Sequence, residues 1–241
     1  MFLITGYPKT GNTWLHVMFS YILNPNKMIN GTAEPPDNQM FSHCMPGFNR
    51  ESYPNISITV PGGLPGKRII LLIRHPGDTL VSLYMHNVYR EQFPMYYGTI
   101  DEMVYDKIYG IKKLVVYYEW WWKYRDIPDI IYLIRYEDLL KNTYQIFLAA
   151  LNAIKIIVPE QTIRDAVEFG NFENMQILEE TNHLDWPTLW SKVYWPRQRV
   201  KNSLKVREGK IGNYRKILKP ETVEYIDKYV AENLRQEYGY I

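Results

Sequence analysis

Cysteine is almost missing from this chain: Cys44 stands alone among 241 residues. No disulfide can form within the molecule, and a reducing compartment, the cytoplasm, is the natural expectation. Long apolar runs are missing too. The longest strongly apolar stretch, residues 69–73, is far short of the ~20 residues that span a bilayer. The first apolar stretch ends after a few residues, so no signal peptide and no membrane anchor are expected. An excess of one charge is also lacking, at a net +2, which argues against nucleic acid as the partner. There is no internal repeat and no low-complexity segment.

What is present suits an ordinary core, with 46% hydrophobic and 22% charged residues. The length fits one domain over residues 1–241 better than two. Aromatic residues are abundant at 15%, with 21 Tyr and 7 Trp. Large rings fill cores, and some of these can line a pocket for a flat ligand.

Three short continuous apolar segments read as buried strands: residues 2–5, 68–74 and 129–135. Helical patterns follow over 12–22, 78–90, 101–126, 136–154, 160–170 and 220–236. Apolar strands alternating with helices predict an α/β fold. Its central parallel sheet is flanked by helices in a three-layer sandwich like that of the P-loop NTPases. Residues 23–66 are rich in Pro, Gly and Asn, and 182–213 are irregular and basic. Long irregular stretches in a compact domain tend to be functional loops.

The first strand runs into FLITGYPKTGNTWL, nearly a triphosphate-binding loop G-x-x-x-x-G-K-[ST]. Gly6, Gly11 and Thr13 are in place, but Asn12 occupies the lysine position and the loop's lysine is Lys9. A strand, a glycine turn and a helix N-terminus still surround one anion with backbone N–H groups. A second element is RHPGDTLVSLY, 74–84: Arg74 ends a strand and Ser82 lies two helical turns on. A third is VREGKIGNY, 206–214, where Arg207, Gly209 and Gly212 can form a basic flap. One loop for a first phosphate-like group and a separate Arg/Ser/Arg set for a second imply a ligand with two anionic ends.

Taken in order, these segments resemble the PAPS-dependent sulfotransferases of cytosolic type. YPKTGNTWL resembles that family's 5′-phosphosulfate loop, RHPGDTLVSLY its 3′-phosphate motif and VREGKIGNY its C-terminal R-K-G-x-x-G-[DN]-W segment. RYEDL, 135–139, resembles a segment whose tyrosine lies near the adenine. The resemblance implies that Lys9 stabilises the leaving phosphate while Thr10, Gly11, Asn12 and Thr13 hold the 5′-phosphate. Trp14 is implied to stack on adenine, flanked by Tyr136 and Phe172. Arg74 and Ser82 are implied to take the 3′-phosphate with Arg207 and Gly209, and Ser82 is counted with the catalytic set. Glu208 stands in that cofactor segment where the family usually has lysine, and Tyr214 where it has tryptophan.

The family's base is a histidine in a K-T-H segment, and His43, in MFSHCMP, is the matching candidate although its preceding lysine is missing. His86 is the best rival. His16 is expected to pack inside its helix, His75 to cap a strand, and His183 to reach in from the irregular segment. The implied reaction moves a sulfuryl group from PAPS to a hydroxyl or amine of a small molecule or small glycoconjugate, leaving PAP. No metal is expected, because a sulfuryl group carries less charge than a terminal phosphoryl. Acceptor-pocket loops are expected at about 23–66 and 182–205.

Two alternatives stay open on the residues alone. A P-loop kinase needs a lysine at position 12 and an aspartate at a strand end. Arg74 and Arg135 stand at those ends, with Glu137 and Asp138 close by. A non-catalytic nucleotide-binding module is the other.

Overall fold

The computed structural model describes residues 2–24, 64–90, 95–180 and 209–241. Its described strands are β1 (Phe2–Gly6), β2 (Arg68–Ile73) and β3 (Ile130–Arg135), paired in parallel in the order β1-β2-β3. The helices are α1 (Asn12–Leu23), α2 (Pro76–Met85), α3 (Ile100–Tyr105), α4 (Ile111–Lys123) and α5 (Tyr136–Lys141). They continue with α6 (Thr143–Ala153), α7 (Glu160–Phe169), α8 (Phe172–Glu180), α9 (Tyr214–Ile217) and α10 (Pro220–Asn233). A single π-helical turn, His86–Arg90, prolongs α2.

The strands are mostly apolar, and β1 and β2 are largely buried on both faces, while β3 is buried fully only at Ile134. Leu3, Ile69, Leu71 and Ile73 join one core with Leu80 of α2, Leu114 and Trp121 of α4, and Ile226 of α10. Their neighbours Ile4, Ile70, Leu72 and Ile134 join a second core with Leu15 and Phe19 of α1, Phe147 of α6 and Ile163 of α7. That alternation is the strand period of two made visible on a buried sheet. The expected helix–sheet–helix layering is what the chain forms.

Register decides where the chemistry can sit. Gly6 pairs with Leu72, which pairs on its other side with Ile134. The three strands therefore end side by side, and the segments starting at Tyr7, Arg74 and Tyr136 leave from one edge. Each leads into a helix N-terminus there, at α1, α2 and α5. Helix dipoles and unpaired N–H groups make that edge electropositive.

Two helices read as continuous are broken. The segment 101–126 divides into α3 and α4, because the Asp106 carboxylate accepts from Ile108 N at 2.6 Å and Tyr109 N at 2.8 Å, turning the chain. Gly110 then starts α4 from extended backbone. The segment 136–154 divides at Asn142, whose φ of −138° and ψ of 57° are not helical. Helix α8 was not expected; Asn171 opens it by accepting from Asn174 N at 2.7 Å.

Candidate functional site

The loop after β1 folds around its own backbone. Thr10 N and Oγ1 both donate to Tyr7 O, at 3.2 and 2.8 Å. Asn12 Nδ2 donates to Gly6 O and to Tyr7 O, each at 3.2 Å. The side chain at the usual lysine position thus holds the loop's shape. Lys9 adopts φ 75°, an uncommon conformation for a residue with a side chain, and Gly11 has φ 106°. A Cβ on Gly11 would lie 2.7 Å from the Tyr136 ring, and one on Gly6 2.5 Å from Leu72 O. Both glycines are there because chain must pass too close for a side chain.

Arg74 is the hub between the segments. Its Nη1 donates to Lys9 O at 3.4 Å and its Nη2 to Lys210 O at 3.2 Å. Its guanidinium carbon lies 4.4 Å from the centre of the Tyr136 ring, in cation–π range. From behind, Tyr118 OH donates to Arg74 O at 2.8 Å. Burial raises the pKa of the Tyr136 hydroxyl, against the pull of Arg74.

These groups line a cavity of about 260 Å³. Lys9, Gly11, Asn12, Thr13 and Trp14 come from the loop, Arg74 and Ser82 from β2–α2, Tyr136 from α5, Phe172 from α8, and Gly209 from the C-terminal segment. The structure brings all ten of these sequence-predicted residues together. Thr10 does not line the cavity; it is fully buried beneath it with its hydroxyl turned to Tyr7. His43, Arg207 and Glu208 lie outside the described residues, as do His183 and nearly all of 23–66 and 182–205. His86 lines the cavity one turn beyond Ser82.

His75 caps α2, where a strand cap was expected: its Nδ1 accepts from Gly77 N at 3.1 Å. The ring stacks on Tyr214 at 4.8 Å and meets the edge of Tyr240 at 5.4 Å. Burial pushes the His75 pKa below the ordinary 6.5, although Asp78 and Glu137 pull it upward. Glu137 accepts from His75 N at 2.9 Å and from Tyr240 OH at 2.8 Å. Both oxygens of that carboxylate are therefore engaged inside the fold. The other nearby acid, Asp138, lies 3.8 Å from Arg135. Neither acid is presented as a nucleotide kinase would need. Among the described residues no group of three or more His, Cys, Asp or Glu could hold a metal ion.

Sequence reasoning missed Asp78, Met175, Leu140 and Asn213 in the cavity wall. The two apolar residues gave no signal. Asp78 stood in the quoted RHPGD motif, but a carboxylate beside an anion site did not read as part of it.

Known proteins resemble this chain in sequence and in fold. A cytosolic sulfotransferase of Arabidopsis thaliana is 24% identical over 97% of this chain and 74% of its own length. A flavonol 3-sulfotransferase of Flaveria bidentis is 22% identical over 96% of this chain and 80% of its own. Among solved structures, a retinol dehydratase in complex with androsterone and the inactive cofactor PAP superposes with a TM-score of 0.68. It is 16% identical and covers 97% of this chain and 80% of its own. A mouse sulfotransferase complexed with PAP follows at 0.64, with 16% identity over 97% and 84% of the two chains. Residues 64–237, most of the chain, match the sulfotransferase domain, so the chain belongs to the sulfotransferase family.

Proposed function

We propose that this enzyme uses PAPS to sulfate a hydroxyl or amine of a small-molecule acceptor, releasing PAP. One observation carries the reading: Lys9, Arg74, Ser82 and Gly209 line the same cavity as Trp14, Tyr136 and Phe172. That wall combines cations with aromatic rings, which fits a flat base carrying anionic groups. The PAP complexes of its structural neighbours support the same ligand. The flavonol sulfotransferases among its relatives support a small, soluble acceptor.

When bound, PAPS supplies a sulfuryl group already activated by a phosphate leaving group. The chain's part is to bind, orient and neutralise. N–H groups at the start of α1, with Gly11, Asn12 and Thr13, hold the 5′-phosphate, and Thr10 contributes by shaping the loop. Lys9 opposes charge building on the leaving oxygen. Arg74 and Ser82 take the 3′-phosphate together with Arg207 and Gly209; Glu208 weakens the positive field there by one charge. Trp14, Tyr136 and Phe172 enclose the base.

His43 is the proposed base that removes the acceptor proton, a role worth ~10²–10⁴-fold in rate. His86 is the second reading, because it lines the cavity. Acceptor recognition is assigned to 23–66 and 182–205, with the oligomeric state left open. The cytoplasm is the proposed compartment, supported by Cys44 and by the names of the plant relatives. Among the described residues no helix is long and apolar enough to cross a membrane.

The test is transfer from labelled PAPS to an acceptor panel that includes flavonols. His43→Ala is expected to keep PAP binding and lose turnover. Loss in His86→Ala alone moves the base to His86. Turnover that survives both substitutions contradicts both assignments, and no transfer by the wild type to any acceptor contradicts the enzyme reading.

A further inference from the structure

Asp78 is a carboxylate in the wall of an anion-binding cavity, and it is buried to 3% exposure. Its charge repels a phosphate, so its presence there needs another reason. Both of its oxygens are spent on the C-terminal segment: Oδ2 accepts from Gly212 N at 2.6 Å and Oδ1 from Tyr214 N at 3.0 Å. The segment between Gly209 and Tyr214 contains two left-handed glycines, Gly209 at φ 60° and Gly212 at φ 72°. Such backbone has wide freedom when it is not tied down.

The same junction is sealed by packing. A Cβ on Gly77 would lie 2.6 Å from the Tyr214 ring, which shows how closely Tyr214 seats on the first turn of α2. Arg74 Nη2 donates to Lys210 O further along. Arg74 also has the ligand to serve, whereas Asp78 cannot bind an anion and keeps its hold throughout.

We propose that Asp78 is a positioning residue for donor selectivity: it clamps residues 209–214 onto α2 so that this segment reaches the ligand's 3′-phosphate. The proposal rests on the PAPS reading above. It follows that the clamp favours nucleotides bearing a 3′-phosphate over those without one, while the 5′ loop works independently of it. Charge-assisted hydrogen bonds from buried N–H groups are among the stronger ones, so their loss is large enough to measure.

The experiment is calorimetric titration of PAP and of 5′-AMP into the wild type, Asp78→Asn and Gly212→Val. Wild type is expected to prefer PAP; if it does not, the PAPS reading fails before any substitution is considered, and this proposal with it. In Asp78→Asn the Kd of PAP is expected to rise about 10- to 100-fold, with that of 5′-AMP changed by less than about twofold. The KM for PAPS rises while kcat is largely kept. An unchanged PAP/5′-AMP ratio, whether both affinities fall or neither does, overturns the clamp. Should Asp78→Asn not fold, Gly212→Val decides alone. Its branched side chain rejects φ 72° without touching Asp78, and no atom stands within 4 Å of the new Cβ. It is expected to lose the same ratio, and a wild-type ratio there overturns the proposal.

Discussion

At the scale of single residues, the site depends on backbone that few side chains tolerate. Gly11 combines a φ of 106° with a Tyr136 ring 2.7 Å from any added Cβ. Gly11→Ala is expected to cost about 1–3 kcal/mol of stability and to weaken PAP binding, read by denaturant midpoint and calorimetry. Lys9→Met keeps the length and removes the charge. It is expected to leave the PAP Kd nearly unchanged and to lower kcat by ~10²–10³-fold, as loss of a preorganised transition-state contact does. His75 makes a prediction in pH. Its folded pKa lies below 6.5 because it is buried, so the unfolded chain binds the extra proton first as pH falls. Its share of stability is whole above about pH 6.5 and declines below it, by at most ~1.4 kcal/mol per pH unit for one proton. In His75→Gln the urea midpoint between pH 7 and 5 should fall less steeply; an unchanged slope contradicts this. Of these residues, Lys9, Gly11 and Arg74 were legible from motif spacing, and Tyr136 only from the resemblance of RYEDL to a family segment. Asp78 was not, because its role is set by a partner 134 residues away, at Gly212.

At the scale of elements, the strands were readable to within a residue at either end, since each is a short run of apolar residues bounded by polar ones or glycine. Helix existence was mostly readable and helix continuity was not. The break between α3 and α4 comes from a local competition: Asp106 offers its carboxylate to two backbone N–H groups that a helix would otherwise use. At Gly110 an added Cβ would lie 2.3 Å from Asp106 O, so this turn is also sterically closed. Gly110→Ala is expected to destabilise by about 1–3 kcal/mol, because backbone must shift to admit the methyl group. Chemical denaturation checks it, and an unchanged midpoint would show the turn to be slack. Helix α8 escaped notice because Met175 is its one buried residue among those described, leaving almost no apolar period to detect. Yet α8 brings Phe172 to the cavity, and the buried pair Arg90–Glu179 at 2.6 Å ties it to the turn that follows His86.

At the scale of the molecule, one geometric fact organises the rest: three parallel strands end in register, and three helix N-termini face the same cavity. The aromatic abundance divides between two uses. Tyr117, Tyr118, Trp120 and Trp121 pack the core beneath the site, while Trp14, Tyr136 and Phe172 line the cavity. What composition could not reveal was this division, which depends on which helix face meets the sheet. The acceptor was equally hidden, since nothing in the loops proposed to bind it, 23–66 and 182–205, names a ligand. The central claim, a cavity built for PAP-type nucleotides, is tested most directly by ligand-dependent unfolding. PAP at ~100 times its Kd should stabilise the fold by about 2.7 kcal/mol. For a domain of this size that raises Tm by roughly 5–11 °C. ATP with Mg²⁺ should leave Tm nearly unmoved. A shift with ATP and Mg²⁺ but none with PAP would contradict the account.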